Sequence, residues 1–197
     1  MINPFDHLYL ASRSPRRRDL LKQIGLHFEA VAPETDETPL PGEKPEDYVV
    51  RAAKDKARAA WEHIQEHKLP PHPVLAADTT VALGDEIFGK PESDEHAAQI
   101  LRRLSGTTHR VLTAVAVAYQ DKLEWRLSTT QVEFAPLSDH DIQLYVLTGE
   151  PHDKAGAYGI QGHAARFIRR IDGSYSGVMG LPLFETAELL NTIGMPT

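Results

Sequence analysis

Hydrophobic and polar positions change period several times along the chain. Strand-like "HLYLA" (7–11) leads into a helical pattern from about Pro15 to Ile24, which Gly25 stops. "LHFEAVAP" then reads as a second strand, so the chain opens β-α-β. An acidic, proline-containing loop, "PETDETPLPGEKP", precedes a long helix predicted from about Pro45 to His67 and ended by Pro70 and Pro71. "PVLAADTTVAL" is a buried strand interrupted by Asp78. A turn at Gly84–Asp85 leads to "EIFGKP", and "SDEHAAQILRRLSG" is a capped helix closed by Gly106.

The pattern then turns to β. "HRVLTAVAVAYQ" and "LEWRLSTTQVEFA", joined at Asp121–Lys122, predict an antiparallel hairpin, and "LSDHDIQLYVLTG" predicts another capped helix. "RFIRRIDGSYSGVMG" alternates on both sides of Asp172–Gly173 and predicts a second hairpin, before a final helix from about Pro182 to Ile193. The expectation is an α/β fold with a mixed sheet and long antiparallel strands in its later part. No Gly/Ser-rich or Pro-rich linker divides the 197 residues, so one domain is expected over 1–197.

Composition narrows the function classes. With 41% hydrophobic and 25% charged residues the chain is ordinary for a globular protein, and its apolar runs fall short of the ~20 residues of a membrane span. The start, "MINPFDHLYLAS", lacks the pattern of a secretory signal, and without cysteine there is no disulfide framework, so the expected location is cytoplasmic. A net charge of −7 argues against a nucleic-acid-coating protein.

Against that acidic background, three consecutive arginines stand out. With Ser14 as N-cap and Pro15 at the first helical position, Arg16, Arg17 and Arg18 fall in the first turn of a helix. Cations there oppose the helix dipole by roughly 0.3–1 kcal/mol each. An anion nearby would reverse the sign.

Other residues carry chemistry less distinctly. Asp78 follows four apolar residues; it reads either as a turn cap or as a general base or metal ligand at a strand's end. Lys56 falls inside the small-residue stripe Val49, Ala52, Ala53, Ala57, Ala60 and Ile64, where it either snorkels outward or points into an anion site. Lys90, held extended before Pro91, and Glu37, in the acidic loop, are unremarkable alone. "DKAGAYGIQG" (153–162) sets three glycines around Tyr158 and Gln161, a composition that suits either close approach to a ligand or a tight structural loop. No phosphate-binding G-x-x-x-x-G-K-[ST] and no G-x-G-x-x-G occurs, "GSYSG" has Tyr175 where a nucleophilic serine would stand, and His63 and His67 lack a third metal ligand.

Together, "LYLASRSPRRRDLL", "YVVRAAKDKA", "LAADTTVAL", "FGKPES", "LSGTTHRVLTAVAV", "DKAGAYGIQG" and "GSYSGVMGLPL" resemble the Maf family of nucleotide pyrophosphatases over nearly the whole chain. The resemblance implies an elongated, two-lobed α/β domain around a long mixed sheet, with a nucleoside triphosphate in the cleft, a homodimer, and hydrolysis between the α and β phosphorus atoms with Mg²⁺ or Mn²⁺. It implies that Ser12, Arg16 and Arg17 hold phosphates and that Lys56 and Lys90 offset their charge. Glu37 and Asp78 would hold the metal or the attacking water, with Asp78 the proton acceptor. Arg16, Thr79 and Gln161 occupy the positions that separate the family's subgroups, in the combination of the dTTP/UTP subgroup; the 7-methylguanosine triphosphate subgroup has Trp, Gln and Glu there. A nucleotide-sensing regulator of cell division and a nucleic-acid module built on Arg13 to Arg18 are the readings from other classes. One departure is Arg13, where the family usually has glycine: it either alters the loop or adds a phosphate contact.

Overall fold

The apolar run Leu8–Ala11 is strand β1, buried at all four positions. It lies between two parallel partners, β2 (Phe28–Ala30) and β3 (Val74–Leu83). Helices α1 (Pro15–Gln23) and α2 (Pro45–Glu66) connect them, so the predicted β-α-β start is present. The structure is a computed structural model describing residues 7–195. Residues 1–6, part of the stretch read above for a secretory signal, lie outside it.

β3 pairs antiparallel along nearly its whole length with β5 (Thr108–Tyr119), which forms the predicted hairpin with β6 (Lys122–Phe134). β4 (Glu86–Phe88) folds back on the end of β3, and β7 (Ile168–Asp172) pairs with β6. Among the described residues these strands make one seven-stranded mixed sheet in the order β2-β1-β3-β5-β6-β7, with β4 added to β3.

The register leaves a break that locates the site. β1 covers Val74 to Ala76, β4 covers Val81 to Leu83, and β5 occupies the opposite edge of β3. Ala77, Asp78, Thr79 and Thr80 therefore face no strand on the β1 side. Asp78 lies inside β3, so the expectation of a strand's end is corrected: it is β1 that stops, and the strand carrying the carboxylate runs on past it. Such a place, outside the carboxyl end of a parallel strand where the topology changes, is where α/β folds open a crevice.

Alternation along β3 sends Val74, Ala76 and Asp78 to one face and Leu75, Ala77 and Thr79 to the other. On the first face the small stripe of α2 packs against Tyr9, Val74, Ala76, Leu112 and Ala114, its alanines letting the helix lie close to the sheet. On the second, Leu20 and Leu21 of α1 and Leu189 and Leu190 of α6 (Leu183–Thr192) pack on Leu8, Leu10, Leu75 and Val115. Burial of each such leucine is worth about 1.5–3 kcal/mol. A third cluster joins α3 (Asp94–Leu104) and α4 (Asp139–Val146) to Val81, Val111, Val132 and Phe134. Ser93 and Ser138 cap α3 and α4 as predicted, the latter with a complete capping box.

Asp172–Gly173 does not turn a hairpin. After β7 the chain enters a short helix, α5 (Tyr175–Met179), capped by Ser174, whose Oγ accepts from the Gly177 amide at 3.0 Å. The residues after Gly173 alternate but do not return along the outer edge of β7, because Ser174 is bound through its amide to Thr130 Oγ1 and caps α5 with its side chain. Gly173 is required for another reason: its φ is +134°, and a Cβ there would lie 2.7 Å from Thr130 Oγ1. No helix among the described residues is long and apolar enough to cross a membrane.

Candidate active site

On the α2 face of the break, Asp78 meets the lysine from the alanine stripe. Lys56 Nζ donates to Asp78 Oδ1 at 2.6 Å and lies 2.9 Å from Glu37 Oε2, so one ammonium joins two carboxylates. Lys56 is 13% exposed and does not snorkel to the surface. Asp78 Oδ2 is buried and has no hydrogen-bond partner. Burial pushes the Asp78 carboxyl above the usual carboxylate range, while Lys56 and Arg17 pull against it.

Glu37 reaches this pair because its loop is tied to α2. Tyr48 Oη donates to the Glu37 carbonyl at 2.9 Å, and Arg51 grips Glu43 with Nε and Nη2 at 2.7 and 2.8 Å while also donating to the Thr38 carbonyl. That bidentate grip holds the Glu43 carboxyl down at about 2.

On the opposite face, Arg17 is held by three acceptors. Its Nε donates to the Gly180 carbonyl at 2.7 Å, Nη1 to Ser12 Oγ at 3.2 Å and Nη2 to Thr79 Oγ1 at 3.1 Å. The network continues inward. Thr113 Oγ1 donates to the Gly177 carbonyl at 2.7 Å, so in its 3.0 Å contact with Thr79 it is the acceptor. Thr79 thus donates to Thr113 and accepts from Arg17, and its hydroxyl has only a lone pair left to offer a ligand. Burial lowers the Arg17 guanidinium below its ordinary value, with Asp78 and Glu37 opposing, and an arginine stays protonated under such a shift.

Ser14 occupies the N-cap position of α1, but its side chain caps nothing and the first turn holds no acidic residue. The cationic helix start therefore has no anion supplied by its own first turn. Arg16 Nη1 lies 3.6 Å from Asp153 Oδ2, which reaches over from the glycine-containing segment. Arg18, the third of the run, does not line the cleft.

The nine residues to which the family resemblance gives a role, Ser12, Arg16, Arg17, Glu37, Lys56, Asp78, Thr79, Lys90 and Gln161, line one open cleft of about 1600 Å³. Lys90 and Gln161 are exposed among the residues that line it. Arg13 is exposed, lines the same cleft and donates to the Ala32 carbonyl at 3.4 Å. Sequence reasoning missed Tyr48, Thr113 and the Gly180 carbonyl, which position the charged groups, and Asp153, which pairs with Arg16. All four lie in motifs quoted above, Tyr48 and Asp153 as the first residues of theirs, but none was given a role, because what each one touches is distant in sequence. Among the described residues no cluster of three His, Cys, Asp or Glu is placed to hold a metal by itself. The oxygen donors at the break are two carboxylates, one with an unpartnered oxygen.

Comparisons with known proteins give the chain's relatives. The chain is 55% identical to the dTTP/UTP pyrophosphatase of Dechloromonas aromatica (strain RCB), over 95% of this chain and 97% of that one. It is 56% identical to the dTTP/UTP pyrophosphatase of Aromatoleum aromaticum, with 96% of each chain covered. It is 54% identical to that of Nitrosomonas europaea, with 99% of each covered. Among solved structures, the Staphylococcus aureus Ham1 protein aligns with 66% of this chain and 72% of its own at a TM-score of 0.46 and 18% identity. The family model described as Maf-like protein matches residues 7–193, and the chain belongs to that family.

Proposed function

We propose that this protein hydrolyses dTTP and UTP to the nucleoside monophosphate and pyrophosphate. The observation that carries the reading is Lys56 bridging Glu37 and Asp78 in the cleft that also presents the fixed Arg17. The names of its relatives support the same substrates. A homodimer belongs to this reading through the family resemblance, and a cytoplasmic location through the cysteine-free sequence.

Two carboxylates and an unpartnered buried Asp78 oxygen suit a hard cation that takes its remaining ligands from phosphate and water. Mg²⁺ or Mn²⁺ bound there by Glu37 and Asp78 would neutralise phosphate charge and favour ionisation of water. The chain's own groups do the rest. Arg17 needs no reorganisation to meet a phosphate, because protein acceptors already orient it; Ser12 and Arg16 flank it at the helix start. Lys90 adds positive charge to the same cleft. Asp78 accepts the proton of the attacking water, its basicity raised by burial and its charge supported by Lys56. Gln161 offers a donor and an acceptor to a uracil-type edge.

The test is pyrophosphate release from dTTP, UTP, CTP, GTP and 7-methylguanosine triphosphate with Mg²⁺ or Mn²⁺. Turnover is expected with dTTP and UTP, and Asp78→Asn is expected to lose roughly 10²–10⁴ in rate, the range of a general base. Turnover of 7-methylguanosine triphosphate in their place would overturn the base assignment. Binding of dTTP or UTP without turnover would make the protein a sensor.

A further inference from the structure

The residues that carry Gln161 into the cleft form a short turn with little regular secondary structure, yet one side-chain pair, a buried tyrosine and a half-buried glutamate, holds both of its ends. Tyr145 on α4 is fully buried, and its hydroxyl donates to Glu150 Oε1 at 2.8 Å. The same phenolic oxygen accepts from the Gly159 amide at 3.3 Å. Glu150 Oε2 accepts from the His163 amide at 2.8 Å. Gly159 and His163 bracket Ile160, Gln161 and Gly162. Within the bracket Ile160 is buried and Gln161 is exposed toward the cleft.

Two glycines show how tightly the turn sits on this pair. A Cβ on Gly162 would collide with the Glu150 carboxylate, and one on Gly159 would lie 2.6 Å from Lys154 Cε. Lys154 in turn donates from Nζ to the Glu150 carbonyl at 2.7 Å. Gly159 and Gly162 are therefore explained by close approach to Lys154 and Glu150, and Gly156 by close approach to Val81 at a φ of +71°, all groups of the chain itself.

We propose that the Tyr145–Glu150 pair is a positioning element for base recognition: by holding the Gly159 and His163 amides it sets where the Gln161 amide meets the base. The inference rests on the reading of Gln161 as the residue that meets a uracil-type edge. A hydrogen bond survives only over a few tenths of an ångström in length and within a limited angle. A turn released from Glu150 leaves Gln161 present but misplaced, and a site that discriminates by hydrogen bonding loses selectivity along with affinity. Glu150 and Tyr145 touch neither the Asp78 pair nor Arg17, so the chemical step is reached only through the substrate's placement.

The test compares kcat and KM for UTP, dTTP and CTP in the native enzyme, Tyr145→Phe, Glu150→Gln, Glu150→Ala, Gly162→Ala and Gln161→Ala, each confirmed folded by circular dichroism. Glu150→Ala and Gly162→Ala, which disturb the same contact from opposite sides, are expected to raise KM for UTP and dTTP about tenfold. They should lower the UTP-to-CTP ratio of kcat/KM by a similar factor, with a smaller change in kcat, an outcome resembling Gln161→Ala. Glu150→Gln keeps one acceptor oxygen and should recover part of the loss. In a Gln161→Ala background the Glu150→Ala change should have little further effect. Amide hydrogen exchange at Gly159 and His163 gives a readout independent of substrate and should accelerate in Glu150→Ala.

Faster exchange with an unchanged UTP-to-CTP ratio would overturn the positioning role while leaving dTTP and UTP hydrolysis standing. Full additivity with Gln161→Ala would overturn it too. A native enzyme that does not prefer UTP and dTTP over CTP would instead overturn the base reading, and this inference with it.

Discussion

Asp78 and His109 sit on neighbouring strands, are 5% and 1% exposed, and are treated in opposite ways. His109 lies in an aromatic cluster, edge-on to Phe134 and Tyr158, with Nε2 2.7 Å from Tyr158 Oη. Burial alone pulls its imidazole down to about 4, so at neutral pH it carries no charge. Asp78 is also penalised by burial, but Lys56 touches it and Arg17 acts on it from the far side of the sheet. The lesson is about where a fold tolerates charge. In the aromatic cluster the ionisable group gives its charge up; at the break in the sheet, cations gathered from two helices support one. A buried charge of this kind is a poor source of stability, and its perturbed setting is what the proposed role of general base requires.

The largest effect that bears on this comparison should come from Lys56→Met. It removes the partner of a buried carboxylate at similar volume, and such a break typically destabilises by about 3–5 kcal/mol. Urea unfolding at pH 7 measures it. A loss below about 1 kcal/mol would mean that the Asp78 carboxyl takes up a proton and behaves as His109 does, and the contrast would be gone.

The His109 side of the comparison is tested by pH. Its folded value is below the unfolded one, so between about 6.5 and about 4 the unfolded chain binds a proton that the folded protein does not. The contribution is fully present above about pH 6.5, is lost as pH falls, and levels off below about pH 4 after a loss of about 3 kcal/mol. Carboxylates held low in the fold, such as Glu43, add losses near the acid end, so the quantity to read is the difference between the native protein and His109→Gln. Parallel stability profiles for the two would break the comparison.

A smaller effect separates charge from neutral scaffolding within the cleft. Thr113→Val keeps the shape but leaves the Gly177 carbonyl and the Thr79 hydroxyl without their partner, a loss of about 1–2 kcal/mol. Because Thr79 helps to orient Arg17, KM for the nucleotide should rise by more than kcat falls. A kcat loss as large as that of Asp78→Asn would show that the threonine chain takes part in chemistry and does more than orient Arg17.

The elements were legible where the signal was local. The alanine stripe of α2, the Ser138 capping box and the β5–β6 hairpin each depend on residues a few positions apart, and each is present. Asp172–Gly173 shows the limit. The dipeptide favours a turn whatever surrounds it, but a hairpin also needs a returning strand, and here Ser174 is held on Thr130 and starts α5 instead. Lys56 and Asp78 were each ambiguous alone, since snorkelling and turn capping are settled by what lies opposite.

The sequence by itself determined the order of strands and helices as far as β7, the types of group available and, through motifs spread along the chain, the family, because periodicity, capping and motif spacing are properties of neighbouring residues. Tertiary structure alone decided which groups meet. Lys56 reaches Asp78 across 22 positions, and Arg17 reaches Gly180 across 163. Those contacts exist because β1 stops three residues into its pairing with β3 and leaves Asp78 and Thr79 facing opposite layers. Where a strand ends relative to its partner is set by register and packing across the whole sheet, and no local pattern encodes it.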